Sequence, residues 1–356
     1  MPTYPTPPQN VRQFAQMFGT DRACANYLFS LRYPDGYACP KCGSAKAWPV
    51  AAIPGMMQCE NKHKCSLKAD TMMHRSKQGL ATWFHAAWLM ATLKPGISAV
   101  QFDRQLGMGN VDTAWALLHK LRAGLVAPAR DLLTTTCTDP LHTDHWIEVD
   151  QVEVGGVQSR TDRDDRGSNK TTIAVAVEVH CWHGLPDDVD TQGRRQGRKG
   201  RHTRPGRCRM KVIPNHTADA MLRFLRDNCE RDSYIDSDAH QSMHYIGQAG
   251  MRRHRTIVAA YSDDPLPTLG RVTTNLKRWL LGTHKGAVRP QHLQAYLNEF
   301  VFRFNRRDIP WVGFNRALIL AVLRRPAAEY EALYKPTWVH PNPTTPPRQL
   351  AFAELW

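Results

Sequence analysis

The chain has 356 residues, enough for two or three domains of about 100–200 residues each. Its 47 Lys and Arg against 32 Asp and Glu give a net charge of +15, which points to a polyanionic partner, nucleic acid first. Apolar residues at 42% exclude a disordered chain, and no apolar run reaches the about 18–20 residues of a membrane span. The opening MPTYPTPPQNVRQF lacks the basic-then-apolar pattern of a signal peptide, so a cytoplasmic protein is expected. Nine cysteines in that reducing compartment read as metal ligands or buried thiols, not disulfides.

After a Pro-rich start and a short helical pattern through Phe14, Met17 and Phe18 comes a compact cysteine segment. Cys39-Pro-Lys-Cys42-Gly has zinc-knuckle spacing, in which two thiolates three apart share a tetrahedral metal and Gly eases the turn. Cys59 arrives 17 residues after Cys42, as a second pair requires. For the fourth ligand Cys65 is the first choice, at C-x5-C, and His63, at C-x3-H, is the alternative. Four buried thiols that cluster without a metal remain the bland reading. Cys24, Cys137, Cys181, Cys208 and Cys229 are dispersed and read as core fillers.

Leu80, Trp83, Phe84, Ala87, Trp88 and Ala91 follow a helical period. Two further helical patterns, 98–106 and 111–123, flank Gly107-Met108-Gly109 and suggest a helix-turn-helix, with an ordinary helical hairpin equally compatible. Lys120 and Arg122 of its second helix are candidate DNA contacts.

From about residue 145 the texture becomes β-rich: WIEVDQVEVGG, TTIAVAVEVHC, CRMKVI, SYIDSD and HRTIVA, with a helix at 217–228 between the third run and the fourth. That order predicts an α/β core. Helices are expected at about 272–281 and 290–305, and the Pro-rich end HPNPTTPPRQLAFAELW reads as a tail or docking segment.

Asp150 ends the first β-run and Asp238 another, with Asp236 two residues earlier as a further candidate ligand. Carboxylates at the ends of neighbouring strands can converge on Mg²⁺, and two such ions suit phosphodiester attack. An Asp at a strand end is also a common turn or cap residue. Between residues 194 and 211 stand nine Lys or Arg and no acid, interspersed with Gly and Pro. This predicts a mobile basic loop able to track a phosphate backbone through Arg194, Arg195, Arg198, Lys199 and Arg201, or a merely solvated hairpin tip. Lys277, Arg278, Lys285 and Arg289 form a second basic set.

The segments IEVDQVEVGG, KVIPNHTADAMLRFL, YIDSDAH, NLKRWLLGTHKGAV and HLQAYLNEFVFRFNRR resemble bacterial insertion-sequence transposases of the ISXO-like group. CPKCGS, TMMHRSKQGLATWFHAAWL and LGMGNVDTAWALLHKLR resemble that group's zinc ribbon and helical DNA-binding segment. The resemblance runs in consistent order over about residues 20–308. It implies an α/β RNase-H-like core, a mixed sheet with flanking helices, behind a small zinc ribbon and a helix-turn-helix-like segment. It implies binding to terminal inverted repeats, then cleavage and strand transfer with two Mg²⁺ ions, for which Mn²⁺ can substitute, beside a structural Zn²⁺. It also implies double-stranded DNA as partner, association with the nucleoid, and a homodimer or higher oligomer to pair two ends.

Carried over, the catalytic residues are Asp150, Asp238 and Lys277, with His284 and Lys285 in support, although His284 is equally a structural histidine. Relatives usually read VDE where this chain has VDQ, TDG where it has SDA, and C-x2-C for the second cysteine pair. The third ligand lies seven residues before the Lys in relatives; here that position is Gly270, which has no side chain. Three readings stand open: a neighbour such as Asp263, Asp264 or Asn275 supplies the ligand, two aspartates and water suffice, or the chain folds and binds DNA without catalysing. The expected organisation is a tail at 1–19, ribbon at 20–78, helical DNA-binding segment at 79–140, core at 141–308, and a helical, Pro-rich tail at 309–356.

Overall fold

A computed structural model describes residues 4–125, 132–135, 144–155, 170–183, 201–257, 266–286 and 288–323. The chain divides into two compact units, one formed by Met1–Ala127 with Arg306–Trp356 and the other by Pro128–Asn305.

The first unit contains α1 (Val11–Met17), α2 (Asp21–Arg32), a three-stranded sheet of β1 (Ala47–Pro49), β2 (Met56–Cys59) and β3 (Lys64–Ser66), and then α3 (Leu80–Thr92), α4 (Ala99–Leu106) and α5 (Val111–Gly124). Gly107 ends α4 in the left-handed region at φ 59°, and the Asn110 side chain caps α5 by accepting Thr113 N–H. These caps produce the short turn expected between the two helices. Residues 310–323 are no tail: α9 (Pro310–Leu323) belongs to this unit. Phe314 lies among Phe14, Phe18, Phe84 and Trp88, with ring centroids 5.5–6.0 Å away. The Ala321 carbonyl accepts Met72 N–H at 2.9 Å, so the returning helix completes the unit's aromatic core. The Pro-rich end after 323 lies outside the described residues, as does Cys137.

The second unit is built on five strands, β4 (Asp144–Gly155), β5 (Lys170–His183), β6 (Arg201–Val212), β7 (Tyr234–Asp238) and β8 (Arg252–Ile257), in the order β6-β5-β4-β7-β8. The first three pair antiparallel, while β7 and β8 add in parallel on the other side of β4. This mixed sheet, with α6 (Ala218–Asn228) between β6 and β7, and α7 (Pro267–His284) and α8 (Pro290–Phe304) after β8, is the RNase-H-like core. Strand β4 is central and its side chains alternate between two covered faces. Ile147 and Val149 join Met221, Phe224 and Leu225 of α6 in one apolar cluster, while Glu148 meets α7 on the opposite face.

Half of the expected basic loop is a strand. Residues 201–212 form β6, an edge strand in which Pro205 is tolerated beside a register shift at Val177/Val179. Gly206 is required there, because a Cβ would stand 2.2 Å from His180 Nε2. Helix α8 satisfies the strand's outer groups: Gln294 Oε1 accepts Val212 N–H and Asn305 Oδ1 accepts Cys208 N–H, both at 2.8 Å. The edge is thereby closed to further pairing.

Candidate active site and metal centre

In the ribbon, Cys39 N–H bonds the Ser44 carbonyl and Gly43, at φ 74°, returns its N–H to Cys39, forming the first knuckle. A second turn runs from Cys59 to His63 through Lys62 at φ 62°, with Cys59 N–H on the His63 carbonyl at 3.1 Å. These turns gather the donor atoms of Cys39, Cys42, Cys59 and His63 within 4.8 Å of one another. His63, the alternative from spacing, is therefore the residue grouped with the three cysteines, while Cys65, the first choice, lies outside the group. Cys65 already lies in β3, paired with Met57, and its thiol sits beside Tyr37 and Cys39 outside the four-donor group. The C-x3-H spacing was the signal, since a tight turn closes over two to four intervening residues.

The donor set fits a zinc ion. The His63 ring lies against the thiols of Cys42 and Cys39, and its buried Nδ1 is left without a protein hydrogen-bond partner. Burial raises the Cys39 thiol, but the N–H groups of Lys41 and Cys42 and the thiols of Cys42 and Cys59 bring it down to about 6, in the thiolate form that binds metal.

In the core, Val149 pairs with Ser237 at the last rung of the parallel β4–β7 ladder, and Asp150 and Asp238 follow one residue beyond. Burial pushes Asp150 up to about 6; its neighbour's N–H opposes this, Asp238 adds to it and His240 opposes it. Gln151 N–H donates to Asp150 Oδ1 at 2.6 Å, and His240 N–H to Asp238 Oδ1 at 3.2 Å. A buried carboxylate at Asp150 with the Asp238 carboxylate as its neighbour offers hard oxygen donors and a repulsion that a divalent cation relieves, so the pair fits Mg²⁺.

Asp236 is fully buried one pleat back from Asp238, opposite Glu148. Glu148 itself was missed by sequence reading. Period-two alternation places it on Asp150's face, where its Oε2 accepts Leu269 N–H at 2.7 Å and fixes the first turn of α7. Burial raises its carboxyl, partly offset by bonds from Leu269 and Thr268.

Gly270 and Lys277 both lie on α7, seven residues and so about two turns apart on one face. Lys277, Arg278 and Asn275 are exposed, as is Lys285 just beyond the helix. Asp263 and Asp264 lie outside the described residues. His284 is a packing residue: its ring meets Trp279 and Tyr296 edge-on, at 4.9 and 4.5 Å.

The basic side chains divide. Arg194, Arg195, Arg198 and Lys199 lie outside the described residues, and of Arg201 only its place in β6 is described. Farther along β6, Arg207 binds Glu178 at 2.7 Å, Lys211 binds Asp227 at 2.8 Å, and Arg209 is buried. Arg122 is 1% exposed, and Lys120 gives its Nζ to the His74 carbonyl at 3.2 Å. The C-terminal half of α5 thus buries Arg122 and leaves Lys120 half-buried. Helical periodicity alone left that orientation open.

No helix among the described residues is long and apolar enough to cross a membrane. Neither the curated proteins nor the solved structures contain a match. A family model described as ISXO2-like transposase domain matches residues 143–305, and one described as Transposase zinc-ribbon domain matches residues 19–67. The two matches cover the acidic strand ends and the four-donor knuckles in the expected order, over more than half the chain. The chain belongs to the IS1595 family of insertion-sequence transposases.

Proposed function

We propose that the protein binds the terminal inverted repeats of its own element and catalyses Mg²⁺-dependent cleavage and strand transfer of those ends. The observation that carries this reading is the meeting of Asp150 and Asp238 at the ends of two adjacent parallel strands. Asp150 and Asp238 would hold the metal, with Mn²⁺ an alternative to Mg²⁺. A divalent ion there supplies activation of the attacking water or 3′-hydroxyl and stabilisation of the departing 3′-oxygen.

The chain's own residues do the rest. Asp150 presents an ionised oxygen above pH about 6, and the Gln151 N–H orients it. Lys277, exposed on α7, sets positive charge against the phosphates of the element end. Arg278 and Lys285 extend that surface, and Arg194, Arg195, Arg198, Lys199 and Arg201 are further basic residues of the sequence for the same DNA. The ribbon's Cys39, Cys42, Cys59 and His63 would hold Zn²⁺ as a closed structural site that folds the module without chemistry. Two ends are joined by a homodimer or a higher oligomer on DNA.

Gly270 favours a second reading, a relative that binds element ends without cutting them. The two are separated by a strand-transfer assay on DNA carrying the element's ends, in Mg²⁺ and in Mn²⁺. Cleavage that disappears in Asp150→Asn while end binding persists supports the transposase; binding without cleavage in the unaltered chain supports the second reading.

A further inference from the structure

A polar relay runs across the candidate active site between β5 and the turn after β7. Thr172 Oγ1 lies 3.0 Å from His216 Nε2, and His216 Nδ1 lies 2.6 Å from Gln151 Oε1. Gln151 Nε2 donates to Ser242 Oγ at 2.8 Å, and Ser242 Oγ lies 2.8 Å from His240 Nδ1. The Ser242 backbone N–H also points at His240 Nδ1, at 3.2 Å. An amide N–H is only a donor, so Nδ1 of His240 carries a lone pair and the neutral ring carries its hydrogen on Nε2.

The remaining directions follow. Ser242 Oγ receives Gln151 Nε2–H and gives its own hydrogen to His240. Gln151 Oε1 receives His216 Nδ1–H, and His216 Nε2 receives the Thr172 hydroxyl. Every donor in the chain points the same way, so each bond polarises the next. The last donor is Nε2–H of His240, which has no partner among the described residues and stands on an exposed ring. The same residue's backbone N–H is bound to Asp238 Oδ1, which puts His240 next to that carboxylate in the chain's turn.

We propose that His240 is a further substrate-contacting residue, whose Nε2–H, set by the Gln151–Ser242 relay, donates to a non-bridging oxygen of the phosphate being cut. This rests on the transposase reading of Asp150 and Asp238. A glutamate at position 151 has no hydrogen to give Ser242, so the glutamine and the histidine act as one device. Removing an oriented donor from a reacting oxyanion costs about 10²–10³-fold in rate.

The test compares single-turnover cleavage of end-bearing DNA in Mg²⁺ by the unaltered chain, Asp150→Asn, His240→Ala and His240→Gln. Binding of the same DNA is measured alongside, as are ¹⁵N-histidine spectra of the metal-free protein. His240→Ala is expected to slow cleavage about 10²-fold with end binding unchanged, and His240→Gln, which keeps an amide donor, to recover most of it. The spectra are expected to show His240 as the Nε2–H tautomer, its signals identified by their loss in His240→Ala. Cleavage by His240→Ala at the unaltered rate, no recovery in His240→Gln, or an Nδ1–H ring overturns the proposal while leaving Asp150 and Asp238 in place. No cleavage by the unaltered chain overturns the catalytic reading itself, and the proposal with it.

Discussion

Glu148 Oε2 accepts the backbone N–H of Leu269 at 2.7 Å, joining the strand that carries Asp150 to the first turn of the helix that carries Gly270 and Lys277. The first N–H groups of a helix have no partner within it, and a buried carboxylate meets both that need and the dipole. Glu148→Ala is expected to destabilise the core by about 1.5–3 kcal/mol, the worth of a hydrogen bond to a charged group, and Glu148→Gln by less. Chemical denaturation of the two variants checks this. Equal midpoints for Glu148→Ala and the unaltered chain would remove the anchor.

The acid shift at Asp150 has a consequence for the metal-free protein. Its folded-state value is about 6 against an ordinary 3.8, so between those values the folded chain holds a proton that the unfolded chain has released. Its contribution to stability is therefore least favourable above pH 6 and improves as pH falls through 6 toward 4. Asp150→Asn cannot ionise, so in chelator it should melt higher than the unaltered chain at pH 7.5, with the difference closing toward pH 4. A constant difference across that range contradicts the assignment.

His63 and Cys65 are separated by zinc content. His63→Ala is expected to lose most of the bound zinc and to melt the ribbon, whereas Cys65→Ala keeps near-stoichiometric metal. Cys39→Ser should behave as His63→Ala does. In each case the second unit should retain its own unfolding transition, because structural zinc stabilises only the module that it closes. Metal analysis after gel filtration, with thermal melts, decides between the two residues.

Gly270 occupies a helical position where any side chain is conformationally allowed, and glycine within a helix costs about 0.5–1 kcal/mol relative to alanine. Gly270→Glu is therefore expected to raise core stability slightly. It should also lower the Mg²⁺ concentration needed for half-maximal cleavage, because hard cations bind more tightly as carboxylate ligands are added. Mg²⁺ titration of cleavage rate is the measurement. An unchanged midpoint would show that the missing side chain at 270 does not limit metal binding.

Much of this protein follows from sequence alone, because the signals are local. Knuckle spacing at Cys39 and Cys42, alternation through Ile147, Val149 and Asp150, and the helical stripes of α3, α6 and α8 each depend on residues a few positions apart. The departure at Gly270 is of the same kind. What tertiary structure decided were the contacts between distant segments. His63, rather than Cys65, is grouped with the three cysteines because the turn from Cys59 brings its ring back to them. Residues 310–323 leave the tail because Phe314 completes an aromatic core begun near residue 14. Much of the basic run that looked like a loop is an edge strand because β5 pairs with it, and α8 supplies partners for two of its outer N–H groups. Arg122 is buried and Arg207 is held half-buried on Glu178: charge count shows how many cations a chain has, and only packing shows which of them face water. The chemistry could be read along the chain, while the selection among equivalent residues required the chain to close on itself.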